Sequence, residues 1–229
     1  MNKHVKELLY ISLWSLPVIL MFLSSAVTEV DTEIPFEIFD RKIMLISNSL
    51  ALILLGLPYF AIWKNTNYNM NFKKVSLSSI FFVFILTFLF VLVDSPIVIW
   101  NKSVVFPEFL SSFETWAKLK ESQLEELTIY LVSFDNFNEY LIGIIAIAII
   151  PGFFEEFLFR GIIQKNFYLI SRNHHLAIWL SAFIFSAIHM QFYGFFPRLL
   201  MGVLFGYLFY WSGSIFYAVI AHAFNNFFA

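Results

Sequence analysis

Beyond Tyr140 the chain carries only two acidic residues, and they are neighbours: Glu155-Glu156, in the stretch "GFFEEFLFRG". Arg160 follows four residues after Glu156, and both lie in an otherwise apolar run. Two histidines share that setting, His189 in "FIFSAIHMQF" and His222 in "AVIAHAFNNFF", and Asn226 follows His222 by four. An ionisable group at membrane depth costs about 2.5–3.5 kcal/mol on insertion scales, so each such residue needs a reason. Bland reasons exist for each. Glu156 and Arg160 share a helix face and can neutralise one another, a buried His is often a hydrogen-bonded core residue, and Asn often joins spanning helices. The ion pair, however, leaves Glu155 over.

The spacing lets these residues meet. The turn expected at Arg172-Asn173-His174-His175 has Glu155 seventeen residues before Arg172 and His189 seventeen after. In an antiparallel helical hairpin both then sit about 25 Å from the turn, at 1.5 Å per residue. A carboxylate and an imidazole at one level of a dry bundle suit general-base activation of water. His222 and Asn226, on one face of a third helix, suit donation to a developing oxyanion. Other hydrolytic chemistries lack their residues: the chain has no Cys, no G-x-S-G, no G-x-G-D and no H-E-x-x-H.

The elements that must hold these residues are membrane helices. The chain of 229 residues is 60% hydrophobic and 13% charged, where a soluble domain carries about 25% charged residues. Charge-free runs at Leu8–Thr28, Ile43–Trp63 and Val75–Val93 are close to the roughly 20 residues that span hydrocarbon. Leu8–Thr28 is expected to be an uncleaved first span. Further apolar runs start at Tyr140, occupy Leu176–Pro197, and continue from Leu199 with a turn at Ser212-Gly213-Ser214. The fold class expected is all-α: a polytopic bundle of about seven spans plus an amphipathic surface helix. That helix falls in the acidic segment Asp94–Glu139, where Phe109, Phe113, Trp116, Leu124, Leu127, Leu131 and Phe134 form an apolar stripe. Residues 1–139 supply N-terminal spans and this connecting segment, and 140–229 the catalytic core, as one integrated membrane domain. Lys3, Lys6, Lys64, Lys73, Lys74, Lys165 and Arg172 fall at the start and in alternate loops. The positive-inside rule then puts the N-terminus in the cytoplasm, with the cell membrane as the expected location. No basic tract points to nucleic acid.

Glu155-Glu156-Phe-Leu-Phe-Arg160 matches E-E-x-x-x-R, Phe185-Ser-Ala-Ile-His189 matches F-x-x-x-H, and His222-Ala-Phe-Asn-Asn226 matches H-x-x-x-N. In this order the chain resembles the CPBP family (CAAX proteases and bacteriocin-processing enzymes, also called Abi), which includes the type II CAAX prenyl endopeptidases. The resemblance covers about residues 140–229. It implies an all-helical intramembrane endopeptidase with a polar cavity facing the cytoplasm and a peptide or lipidated protein as substrate in the bilayer. Glu155 with His189 would activate water, His222 with Asn226 would stabilise the oxyanion, and Glu156 with Arg160 would organise the site. It also raises a divalent metal such as zinc, for which His and carboxylate are suitable ligands and Asn a poor one; no cofactor is assigned from the sequence.

Two other readings stay open. One is a member of the same family that processes bacteriocin-like peptides or confers self-immunity, with an unprenylated substrate. The other is a proton-coupled carrier with Glu155 and His189 as a relay, although carriers usually show inverted repeats and broken helix pairs, and only Pro151-Gly152 hints at a break.

Overall fold

A computed structural model describes residues 40–65 and 73–228; the expected first span, Leu8–Thr28, lies outside them. Within the described residues every regular element is a helix. α1 is Arg41–Asn65, α2 Leu77–Lys102 and α3 Ser111–Val132. α4 runs Phe137–Ser171 as one long helix, α5 is His174–Ile188, α6 Phe195–Ser212 and α7 Ile215–Phe228. Among the described residues α2, α4 and the stretch Phe192–Ser212 are long and apolar enough to cross a membrane.

Local chemistry sets the boundaries. Ser76 caps α2 by accepting from Ser79 N at 3.2 Å. Asn136 caps α4 by accepting from Glu139 N at 3.1 Å, and the Glu139 carboxylate accepts in return from Asn136 Nδ2 at 3.0 Å. Glu139 also pairs with Arg41 at 3.2 Å and Lys42 at 3.1 Å, pinning the start of α1 to the start of α4. Arg172, at φ 55°, closes α4, and Asn173 caps α5 at Leu176 N. Gly213, at φ 62°, closes α6, where only glycine adopts the left-handed region without strain.

α4 is the central helix, packed by α1, α5, α6 and α7. It is not a uniform α-helix: Ile144–Ile149 and Phe159–Gln164 each form a π turn, on either side of the α-helical Ile150–Leu158 that carries the glutamate pair. Single π turns inside helices are frequent at functional sites. α2, α6 and α7 share a core of Val83, Phe205, Leu208, Ala218 and Ala221. The outside is apolar, with Phe81, Phe82, Val93 and Ile99 all exposed, as the lipid-facing wall of a membrane bundle should be.

The fifth apolar run is not the single helix Leu176–Pro197 that its hydropathy suggests. α5 stops at Ile188, Met190 turns the backbone at φ 54°, and a short 3₁₀ turn at Phe192–Gly194 leads into α6. Pro197 falls in the first turn of α6, where its missing N–H costs nothing. Non-helical backbone at membrane depth must be covered by protein, and α3 supplies that cover. Phe113 and Trp116 lie 4.8 and 5.7 Å from the Phe192 ring. Asn101 of α2 donates to Phe192 O at 3.1 Å and accepts from Phe196 N at 2.9 Å. The amphipathic helix expected from the acidic segment is thus α3, packed across the α5–α6 break.

Candidate active site

The site is built on α4. Glu156 and Arg160 are both completely buried, with Arg160 Nε 3.0 Å from Glu156 Oε2. Arg160 Nη2 donates to Gly202 O on α6 at 2.7 Å, and its guanidinium lies 5.1 Å from the Phe185 ring and 5.5 Å from the Phe205 ring. An ion pair, a carbonyl and two aromatic faces together offset part of the lost hydration of this charge, while its Nη1 is enclosed without a hydrogen-bond partner. One turn further on, Gln164 Nε2 donates to Gly206 O at 3.2 Å. Side chains four apart on α4 therefore reach carbonyls four apart on α6. Gly206 permits that approach: a Cβ there would stand 2.8 Å from Ile178 Cγ2 and 2.9 Å from Gln164 Oε1.

His222 enters from α7. Its Nδ1 donates to Glu156 Oε1 at 2.9 Å, and its ring stacks on Phe205 with centroids 4.9 Å apart. With Nδ1 committed to a carboxylate, Nε2 is the nitrogen turned to the site. It lies 3.8 Å from Glu155 Oε2. His189, at the C-terminal end of α5, repeats the arrangement: Nδ1 donates to Phe185 O at 2.6 Å and Nε2 lies 3.9 Å from the same Glu155 oxygen. That oxygen is enclosed yet makes no hydrogen bond. The α4–α7 approach behind this convergence is close, since a Cβ on Gly152 would stand 3.1 Å from Ala223 N, beside His222.

The structure therefore gathers Glu155, His189 and His222 around one point, with Glu156 and Arg160 behind His222. Asn226 is placed differently. Its Nδ2 donates to Ile147 O in the first π turn of α4, at 3.2 Å, and no hydrogen bond joins it to the Glu155 group. Sequence reasoning missed Gln164, although its spacing from Arg160 repeats that between Glu156 and Arg160. It also missed Gln191, which lies in the unforeseen break, and Arg198, in the first turn of α6 just after it. Carboxylate and imidazole are donors that zinc accepts. Among the described residues, however, no group of three or more His, Cys, Asp or Glu is arranged to hold a metal ion.

Residues 137–228 match the family described as type II CAAX prenyl endopeptidase Rce1-like. That span contains all three motifs and every residue of the site above, so the CPBP-type resemblance is shown for this part of the chain. The chain is also similar to the uncharacterized protein YpbD of Bacillus subtilis (strain 168), 29% identical over 83 residues, which are 34% of this chain and 39% of that protein. The chain thus spans well under half the length of the curated relative it matches. No solved structure matches it.

Proposed function

We propose that this chain is an intramembrane endopeptidase that cleaves a peptide bond in a membrane-associated, CAAX-like peptide or protein, with Glu155 as the base that activates water. The observation that carries this reading is the convergence of two imidazole Nε2 atoms on one enclosed, unbonded carboxylate oxygen, at 3.8 and 3.9 Å. These separations are too long for direct hydrogen bonds, but they suit a water molecule that lies off the line and donates to two of the three atoms. The Rce1-like match supports the reading at the level of protease activity in a membrane.

In the proposed reaction Glu155 takes a proton from that water as its oxygen attacks the scissile carbonyl carbon. The carbonyl π pair moves to oxygen. Glu155 then returns the proton to the leaving nitrogen as the C–N bond breaks, giving a new carboxylate and a new amine. His189, oriented by the Phe185 carbonyl, holds the attacking water. His222, its Nδ1–H held by Glu156, meets the growing negative charge as an imidazolium that donates from Nε2, alongside the second amide hydrogen of Asn226, whose first is held by Ile147 O. Such preorganised donors are worth about 10²–10³-fold each in rate. Arg160 keeps Glu156 in place and takes no part in proton transfer.

The protein is read as multi-pass in the cell membrane with its N-terminus in the cytoplasm. Purified protein should be incubated with a prenylated CAAX peptide and its unprenylated counterpart, each with and without a strong chelator. Cleavage of the prenylated peptide, unchanged by the chelator, is expected. Cleavage of the unprenylated peptide alone would favour the peptide-processing reading, and no cleavage of either by folded protein would overturn the peptidase.

A further inference from the structure

Two arginines lie near the site, Arg160 completely buried and Arg198 partly so, and each has an enclosed Nη1 without a hydrogen-bond partner; they differ in their ion pairing. Arg160 has a carboxylate, a carbonyl and aromatic faces. Arg198, in the first turn of α6, donates through Nη2 to Gln191 Oε1 at 2.5 Å. Its Nη1 is enclosed and has no hydrogen-bond partner. Among the described residues it forms no ion pair, although Glu155 and Glu121 lie within electrostatic reach. Neither supplies what is missing. Glu155 faces the two histidines. Glu121 reaches in from α3, its own Oε2 equally unpartnered, and burial pushes its carboxyl above the usual carboxylate range against the pull of Arg198.

A guanidinium at membrane depth without a direct counter-ion is costly. The planar fork of Arg is matched to carboxylate. Gly194 keeps one flank open, since a Cβ there would stand 3.4 Å from both Nη atoms. Arg198 lies within electrostatic reach of Glu155 and His189 on one side and of Glu121 on α3 on the other, close enough to the base to meet a peptide bound there. On the peptidase reading, we infer that Arg198, held by Gln191, receives a carboxylate of the bound peptide and so selects substrates by charge. That carboxylate is either the free C-terminus or an Asp or Glu side chain.

The test uses the full-length protein in nanodiscs carrying Glu155→Gln, so that binding is read without turnover. The ligands are one prenylated CAAX peptide with a single internal Glu, in three forms: free acid, C-terminal amide, and Glu→Gln. The free acid should bind about 10-fold or more tighter than one of the other two, and which one falls identifies the carboxylate. Adding Arg198→Gln should level the three affinities, while Arg198→Lys should restore part of the difference. Equal binding of all three forms by the Arg198 protein overturns the inference. So does an Arg198→Gln protein that still discriminates, or one that weakens all three forms alike. Should Arg198→Gln fail to fold, the three-ligand comparison and Arg198→Lys decide. Cleavage by the protein with Glu155 intact is scored separately: discrimination without cleavage removes the peptidase and leaves the carboxylate site standing, and cleavage without discrimination does the reverse.

Discussion

Adjacent glutamates on a helix point about 100° apart, and the two here have different surroundings as a result. Glu156 is completely buried between Arg160 and His222, whereas the outer oxygen of Glu155 meets only the two Nε2 atoms. Glu155→Gln should cut turnover by about 10²–10⁴-fold, the usual worth of a general base. Its melting temperature in detergent should hold, because the lost oxygen makes no hydrogen bond. Glu156→Gln should instead leave Arg160 facing a neutral amide in a completely buried position. Removing one partner of a buried pair costs about 3–5 kcal/mol, so melting temperature and activity should fall together. An active Glu155→Gln protein would remove the base assignment, and a Glu156→Gln protein that melts normally would remove the bracing role. The motif residues were legible because charge and imidazole in apolar runs are conspicuous. Gln164 was not, being a polar residue near Lys165 that reads as the approach to a loop.

At the level of elements, the helices that hold the site meet through small residues. Gly152 allows α4 to lie against the backbone of α7 at Ala223, one residue from His222. Gly152→Val would force α7 outward and take the imidazole with it. Overpacking of this kind costs about 1–3 kcal/mol, and activity should fall further than stability alone explains, because a small misplacement of a catalytic group is amplified in rate. Parallel melting and cleavage curves check this, and full activity at a lowered melting temperature would show that the α7 position is not limiting. Hydropathy found the helices well, since an uninterrupted apolar run is its own signal. It missed the break between α5 and α6 because Met190, Gln191 and Phe192 do not lower the local average enough. The break is made by one left-handed residue and by side chains from α2 and α3, which are tertiary causes invisible in a local window.

For the whole molecule the question is which side of the membrane each end faces. With the N-terminus inside and spans alternating, α3 lies on the outer side. Ser122 is exposed on α3, and the chain has no cysteine of its own. Ser122→Cys should therefore react with an impermeant maleimide on intact cells, and labelling only after permeabilisation would invert the topology. Overall class was legible because 13% charged residues leave no other solvent than lipid. Orientation was less so, because Lys102, Lys118 and Lys120 lie on the side opposite the other basic loops and weaken the charge asymmetry.

The two π turns of α4 carry one further meaning, which concerns counting. A turn closed from residue i to i+5 holds one residue more than an α-helical turn. α4 is therefore a shaft with two phase shifts. Its anchored start at Glu139, its acidic middle at Glu155-Glu156 and its end beyond Lys165 each keep a separate angular origin. Were Ile144–Ile149 to wind as α-helix with all its residues kept, everything after it would swing by about 100° relative to the anchor on α1. The site would then lose its aim with every one of its side chains still present. The winding between the Glu139 anchor and the glutamate pair is thus as much a part of the site as the glutamates themselves.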